Sequence, residues 1–432
     1  MEIRLDNLRP QRGVSRGVGE ALFHSHYDPI SSLVPRNLDI HFDILRTQGR
    51  VPVSPSRRHS NRHILAPMKS LPLELLRPIV GHLKYDYHAL LAVSLASREL
   101  RVEGQRILFR RMILPMDKEA QIKFLTAITS STVLAEYVEE FQQYELVDPA
   151  HQEKSEPLWS LTCRGLQAMV NLKYLPFRAA FGRSCAEILR GCTFQLEILR
   201  WENYDDAEHL FEFLKSQQKL RVLGFTWSNS EHLELNPSGI CPGLQVLHGD
   251  QQSIDAFFPG RHISSLRWSA DLEELRIGRP IYTPPQEFDY LRYLSLGGFG
   301  GRPLLSVVCR CVPVLEVLEL VGLYAVEVCL IAFFVVICAA HRLCAQELGW
   351  LQEIPMLRIF ILSNPYSCTP PLSLEERKEY FPQIFELCNN LQYIDIDIKT
   401  EERHYQRWLR DGSPPSEISD DNEVLIPEWN IS

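Results

Sequence analysis

The 432-residue sequence lacks any CxxC pair, although it holds 11 cysteines. Their odd number and their scatter through apolar segments argue against a disulfide framework and a zinc site, and predict reduced, buried thiols in a reducing compartment. Cys309 and Cys311 come nearest to a pair; on a strand they would share a face, but no His or second Cys pair lies nearby. His59 and His63 have helical metal-ligand spacing without a third ligand, so no metal is expected. Clustered Lys and Arg are also missing, and a net charge of −9 speaks against a nucleic-acid surface, which must neutralise phosphates.

Long hydrophobic runs are absent too. The most apolar stretch, VCLIAFFVVICAA at 328–340, falls short of the roughly 20 residues that cross a bilayer and follows Glu327, so it reads as a buried segment and no membrane partner is expected. Arg4, Arg9, Arg12 and Arg16 have no apolar run behind them, and Glu2, Asp6 and Glu20 interrupt them, which disfavours a secretory signal or a transit peptide. The phosphate loop GxxxxGK[ST], the GxSxG elbow and the HExxH helix do not occur. GGFGG at 297–301 lacks dinucleotide-loop spacing and reads as a turn leaving a strand. No catalytic residue and no cofactor is assigned.

What is present is a chain 45% hydrophobic and 23% charged, with room for two or three domains. Residues 1–66 mix Arg, Ser, Pro and Gly without periodicity and are expected to be disordered. Residues 411–432, beginning DGSPPSEISDDNE, read as an acidic, turn-rich, mobile tail.

Between them one pattern recurs: NLKYLPF at 171, QLEILRW at 195, KLRVLGF at 219 and GLQVLHG at 243 place Leu172, Leu196, Leu220 and Leu244 24 residues apart three times running. It continues in DLEELRI, YLRYLSL, VLEVLEL, MLRIFIL and NLQYIDI, led by Leu272, Leu291, Leu315, Leu357 and Leu391 at steps of 28, 19, 24, 42 and 34. LxxLxφ followed by a helical or irregular segment, with a period in the twenties, is the pattern of leucine-rich repeats. One strand and one return segment cannot bury their own apolar face, so copies stack, with strands aligned in a parallel sheet and leucines inward. The 42-residue step exceeds 24 by 18 and predicts an insertion around FFVVICAAHRLCAQELGWL, either an extra helix or a misassigned exon boundary across 325–355. Asparagines do not follow the strands, so no asparagine ladder is expected.

Before the repeats stands SLPLELLRPIVGHL, residues 70–83, in which Leu71, Leu75, Ile79 and Leu83 recur every four residues beside Leu76 and Val80. Pro72 suits a first helical position and Glu74 the first turn, whereas Pro78 predicts a kink or a short segment. A second helix is expected over His88–Leu95 and a third beginning near Ser97, a good N-cap. Three short helices make a poor independent core, and an apolar stripe on them reads as a protein-binding surface.

LPLELLRPIVGHL followed by LLAVSLASRELRVEGQRILFRRMIL resembles an F-box of the kind common in fungi, with its LPxEL start, LLxxSLxSR middle and QRxLF end in order over about 68–114. The resemblance implies a Skp adaptor as partner and, through it, a cullin–RING ubiquitin ligase. It implies that Leu71, Pro72, Leu75, Ile79, Leu83, Leu90, Leu91, Leu95, Leu108 and Phe109 line or support that interface. Leu100 stands where many F-boxes carry tryptophan, making that contact smaller. The chain then reads as mixed α and α/β: a three-helix F-box over 67–114 and an irregular leucine-rich-repeat solenoid with a curved parallel sheet over 115–410.

On that reading the residues flanking each second leucine face outward on the concave side and offer substrate-binding candidates: Tyr174, Ile198, Arg200, His248, Arg276 and Tyr293. Strand propensity alone also accounts for the β-branched and aromatic members. The function expected is that of a non-catalytic substrate receptor in the cytoplasm or nucleus. The alternative is a repeat scaffold whose N-terminal helices only cap the array.

Overall fold

The computed structural model describes residues 72–112, 118–143, 147–148, 153–154, 156–178, 185–202, 207–225, 239–268, 285–297, 305–321, 348–363, 372, 374–398 and 405–418. Three helices come first: α1 (Leu73–Gly81), α2 (Tyr87–Ala96) and α3 (Arg98–Arg110). Pro72 precedes α1, and the helix runs through Pro78 to end at Gly81, a short segment as its sequence predicts. Asp86 and Ser97 cap α2 and α3 by accepting from the Ala89 and Leu100 amides at 2.9 and 3.2 Å, satisfying N–H groups that no helical carbonyl can reach.

The chain then builds β1 (Arg111–Met112), α4 (Lys118–Ser130), α5 (Thr132–Tyr137) and β2 (Glu140–Phe141). A separate antiparallel pair, β3 (Val147–Asp148) and β4 (Glu153–Lys154), precedes α6 (Glu156–Ala168). The repeat strands follow as β5 (Tyr174–Arg178), β6 (Ile198–Glu202), β7 (Val222–Phe225), β8 (Val246–Gly249), β9 (Ser265–Trp268), β10 (Tyr293–Gly297), β11 (Val317–Val321), β12 (Ile359–Ser363) and β13 (Tyr393–Asp397). Last come β14 (Tyr405–Leu409) and β15 (Ser416–Ile418). Except for β3 and β4, the strands form one 13-stranded sheet in sequence order, parallel through β13 and antiparallel for β14 and β15.

Register follows the leucines. Leu175, Leu199, Leu223 and Leu247 pair in line across β5 to β8, and Leu294, Leu318, Phe360 and Ile394 do the same across β10 to β13. All are buried, together with the leading Leu172, Leu196, Leu220, Leu244, Leu291, Leu315, Leu357 and Leu391. Period-two alternation in every strand sends them to one face, where return segments such as α7 (Ala207–Lys215) and α8 (Gln251–Phe257) cover them.

One copy is reassigned. The strand between β8 and β10 is Ser265–Trp268, from ISSLRW, with Leu266 in register with Leu247 and Leu294. The copy expected at 271–277, including Leu272, lies outside the described residues. The step pattern through the sheet is therefore 24, 24, 24, 19, 28, 24, 42 and 34, counted between the register residues Leu175 to Ile394. Ile263 and Trp268 fill the first and last apolar places, which a search keyed to leading leucines passes over.

A further expectation is corrected. The stretch from 411, read as a mobile tail, supplies β15, with Ile418 buried. Cys309 and Cys311 lie on a 3₁₀ turn rather than a strand, and Cys309 is buried, as the core reading of the pair expects. The insertion near 325–355 and the pair His59 and His63 fall largely or wholly outside the described residues.

Side chains at scattered positions, rather than a repeated asparagine, bridge neighbouring repeats. Gln217 accepts from the Leu196 amide at 2.8 Å and donates to the Phe194 carbonyl at 3.2 Å. Arg261 donates to the Ile240 carbonyl at 2.7 Å, and Asn390 to that of Pro355 at 2.7 Å. Each satisfies a backbone group at a turn that the sheet ladder does not reach.

Candidate protein-docking surfaces

Two surfaces carry the site residues expected from sequence. The first is the helical head. Leu76, Val80, Leu90 and Phe109 turn inward, and the Phe109 ring stacks on Phe124 of α4 with centroids 5.9 Å apart, joining the head to the core of the repeats. Leu83, Leu91 and Leu108 are partly buried. Leu75, Ile79 and Leu95 remain 50%, 51% and 45% exposed, and Pro72 is exposed beside them. Of the ten residues that the resemblance implies for an adaptor interface, Leu90 and Phe109 are buried and offer no surface to a partner, while Leu71 lies outside the described residues. The fourfold spacing of Leu75 and Ile79 places both on one side of α1, about 100° round the helix from Leu76 and Val80.

The head is fastened from below by a buried acid. Glu103 of α3 accepts from Arg106 Nε at 2.8 Å and from Arg77 Nη2 of α1 at 3.3 Å. Burial pushes its pKa upward, but hydrogen bonds and charge from Arg106 and Arg77 outweigh this and hold it below the ordinary glutamate value. α2 and α3 meet closely at Ser94 and Gly104: a Cβ on Gly104 would stand 2.1 Å from Ser94 Oγ, so only glycine fits there.

The second surface is the sheet face opposite the leucines. Of its six candidates, Tyr174 is buried, Ile198, Arg200 and His248 are partly exposed, and Arg276 lies outside the described residues. Tyr293 is buried and engaged: its hydroxyl donates to Glu319 Oε2 at 2.6 Å, while Ser363 Oγ donates to Oε1 at 2.5 Å and lies 3.2 Å from the Tyr405 hydroxyl. Tyr293 is thus corrected from a binding candidate to an interior residue, because its hydroxyl is engaged by Glu319, and Tyr174 is likewise buried. Ile359, Ile361, Tyr405 and Ile418 form a small apolar cluster on it. Burial raises the Glu319 pKa, but the Arg267 charge and the hydrogen bonds from Ser363 and Tyr293 hold it below the usual carboxylate value, so it is ionised.

Arg267, one strand from His248, is the residue the sequence reading missed. The signal was present in ISSLRW, whose pattern becomes visible once isoleucine is allowed to lead. Among the described residues no group of three or more His, Cys, Asp and Glu side chains is placed to hold a metal ion, and no helix is long and apolar enough to cross a membrane.

No family model matches the chain, and no curated protein matches it. Among solved structures the chain is similar to one in a crystal structure of a TLR13–ssRNA13 complex, at 17% identity and a TM-score of 0.32. That match takes in 62% of this chain and 34% of the other, so it spans about a third of the neighbour's length.

Proposed function

We propose that this chain is the substrate-recognition subunit of a Skp–cullin–F-box ubiquitin ligase, holding the Skp adaptor on its helical head and a target protein on its repeats. The observation that carries the reading is the division of α1 and α2 into two faces. Leu76, Val80 and Leu90 are buried, while Leu75, Ile79 and Leu95 stay about half exposed on the helices whose sequence resembles an F-box. Exposed aliphatic groups gathered on one small module suit a partner that dries them. Function would be tethering: a target held beside a charged conjugating enzyme meets it at high effective concentration, with no residue of this chain touching the thioester.

A second reading has its own support. Phe109 packs into the repeat core, as the end cap of a repeat array would, so the chain could be a scaffold whose head serves only as a cap. Co-purification with a Skp adaptor separates the two. The parent chain binds under the receptor reading, and a Leu75→Asp, Ile79→Asp double variant weakens binding by about 3 kcal/mol or more, as loss of central apolar contacts does. Both side chains are exposed, so the variant keeps its fold. A parent chain that captures no adaptor leaves only the scaffold.

A further inference from the structure

Across the sheet face opposite the leucines, one row runs in register through Arg200, Gly224, His248, Arg267, Ser295 and Glu319. Gly224 has no side chain, and the Arg200 stem lies across it, with Cγ 3.4 Å from where a Cβ would stand. His248 lies beyond, within reach of the charges of both Arg267 and Arg200. Burial first, and then these two cations, hold its pKa well below the ordinary histidine value, so the imidazole is neutral and adds no charge.

Three polar atoms on this face, Arg200 Nη2, Ser265 Oγ and Ser295 Oγ, are buried without a hydrogen-bond partner in the chain, and Ser265 sits two residues before Arg267 on the same face of β9. A buried N–H or O–H that has left water unpaired is a vacancy in the hydrogen-bond network that an incoming acceptor fills. The flexible stem of Arg200 lets its planar fork turn to meet one.

Charge balance selects the acceptor. Among the described side chains of this row, Arg200 and Arg267 carry two positive charges, ionised Glu319 carries one negative, and His248 none, leaving a single net positive charge. A monoanion neutralises it, whereas a phosphate dianion overshoots and is repelled by Glu319. In the adjoining column Ile198, Val222 and Val246 are partly exposed and stand in register, forming an aliphatic shelf about 7 Å away along the strands.

We propose that Arg200, Arg267 and Ser265, with the shelf of Ile198, Val222 and Val246, form a binding site for a polypeptide carboxylate flanked by an aliphatic side chain. The carboxylate comes from an acidic residue or from a chain terminus. This does not rest on the ligase reading, since no adaptor takes part.

The test uses the full chain alone and three fluorescent peptides followed by polarisation: Gly-Gly-Leu with a free carboxylate, Leu-Asp-Gly amide, and Gly-Gly-Leu amide. At least one of the first two is expected to bind about tenfold or more tighter than the last, and which one binds identifies the source of the carboxylate. Arg200→Gln should weaken that binding about tenfold or more, with Arg200→Lys less impaired because the charge remains. If Arg200→Gln fails to fold, Ser265→Ala replaces it, with a smaller loss expected in the same direction. The site is overturned if neither carboxylate beats the amide, if the folded variants bind like the parent, or if inorganic phosphate displaces the peptide at lower concentration than acetate does.

Discussion

At the scale of single residues, Glu103 shows how one buried acid can organise a surface it never reaches. It lies beneath the head, bonded to Arg106 on its own helix and to Arg77 on α1, and so sets how α1 presents Leu75 and Ile79. Its pKa is lowered in the folded chain, so the stability it supplies is present above the ordinary glutamate value of 4.5 and is lost as pH falls through the lower folded value. Replacing it by glutamine removes the charge-assisted bonds and should cost about 1–3 kcal/mol in urea unfolding at pH 7. The parent should lose that margin on acidification and approach the variant, and equal pH dependence of parent and variant would mean the ion pairs contribute nothing.

At the scale of elements, the antiparallel hairpin of β14 and β15 finishes a sheet that would otherwise end in an open edge. β14 pairs with β13 along five residues, and Arg407 clamps Asp395 through two hydrogen bonds of 2.8 Å while stacking on Tyr393 with its guanidinium carbon 3.8 Å from the ring centroid. Tyr405 and Ile418 cover Ile359 and Ile361. An uncovered strand edge with apolar neighbours is a template for pairing with another chain. Truncation after residue 404 should therefore leave the repeats folded but self-associating, seen as a rise in scattered light with concentration. A monomeric, equally soluble truncated chain would show that β13 tolerates exposure.

At the scale of the whole molecule, one core runs from Phe109 through Phe124 and the repeat leucines to Ile396. Its continuity controls thiol chemistry. Burial pushes the Cys192 and Cys241 thiols up to about 12 and that of Cys388 to about 11, so at pH 8 no more than about one in a thousand of each is thiolate. Peptide mapping after brief iodoacetamide treatment should find these three unmodified in the native chain and fully alkylated in urea. Native modification of Cys241 would mean that the repeat around it opens.

The sequence by itself determined the three helices and eight of the nine repeat strands, because one-face burial imposes a period that survives in the spacing of leucines from Leu172 to Leu391, whereas β9, led by Ile263, escaped it. The helix caps at Asp86 and Ser97 are equally local: each side chain bonds an amide three residues on, so sequence neighbours suffice to specify them. Only the tertiary structure decided which members of an apolar stripe are already covered, since Leu75 and Leu76 are alike in sequence and differ only in what packs against them. It also decided that Tyr293 is spent on Glu319, 26 residues away, and Tyr405 on Ser363, 42 residues away. Arg267 reaches His248 only because a strand led by isoleucine lies between Leu247 and Leu294, and such proximity arises from sheet register, which no local spacing encodes.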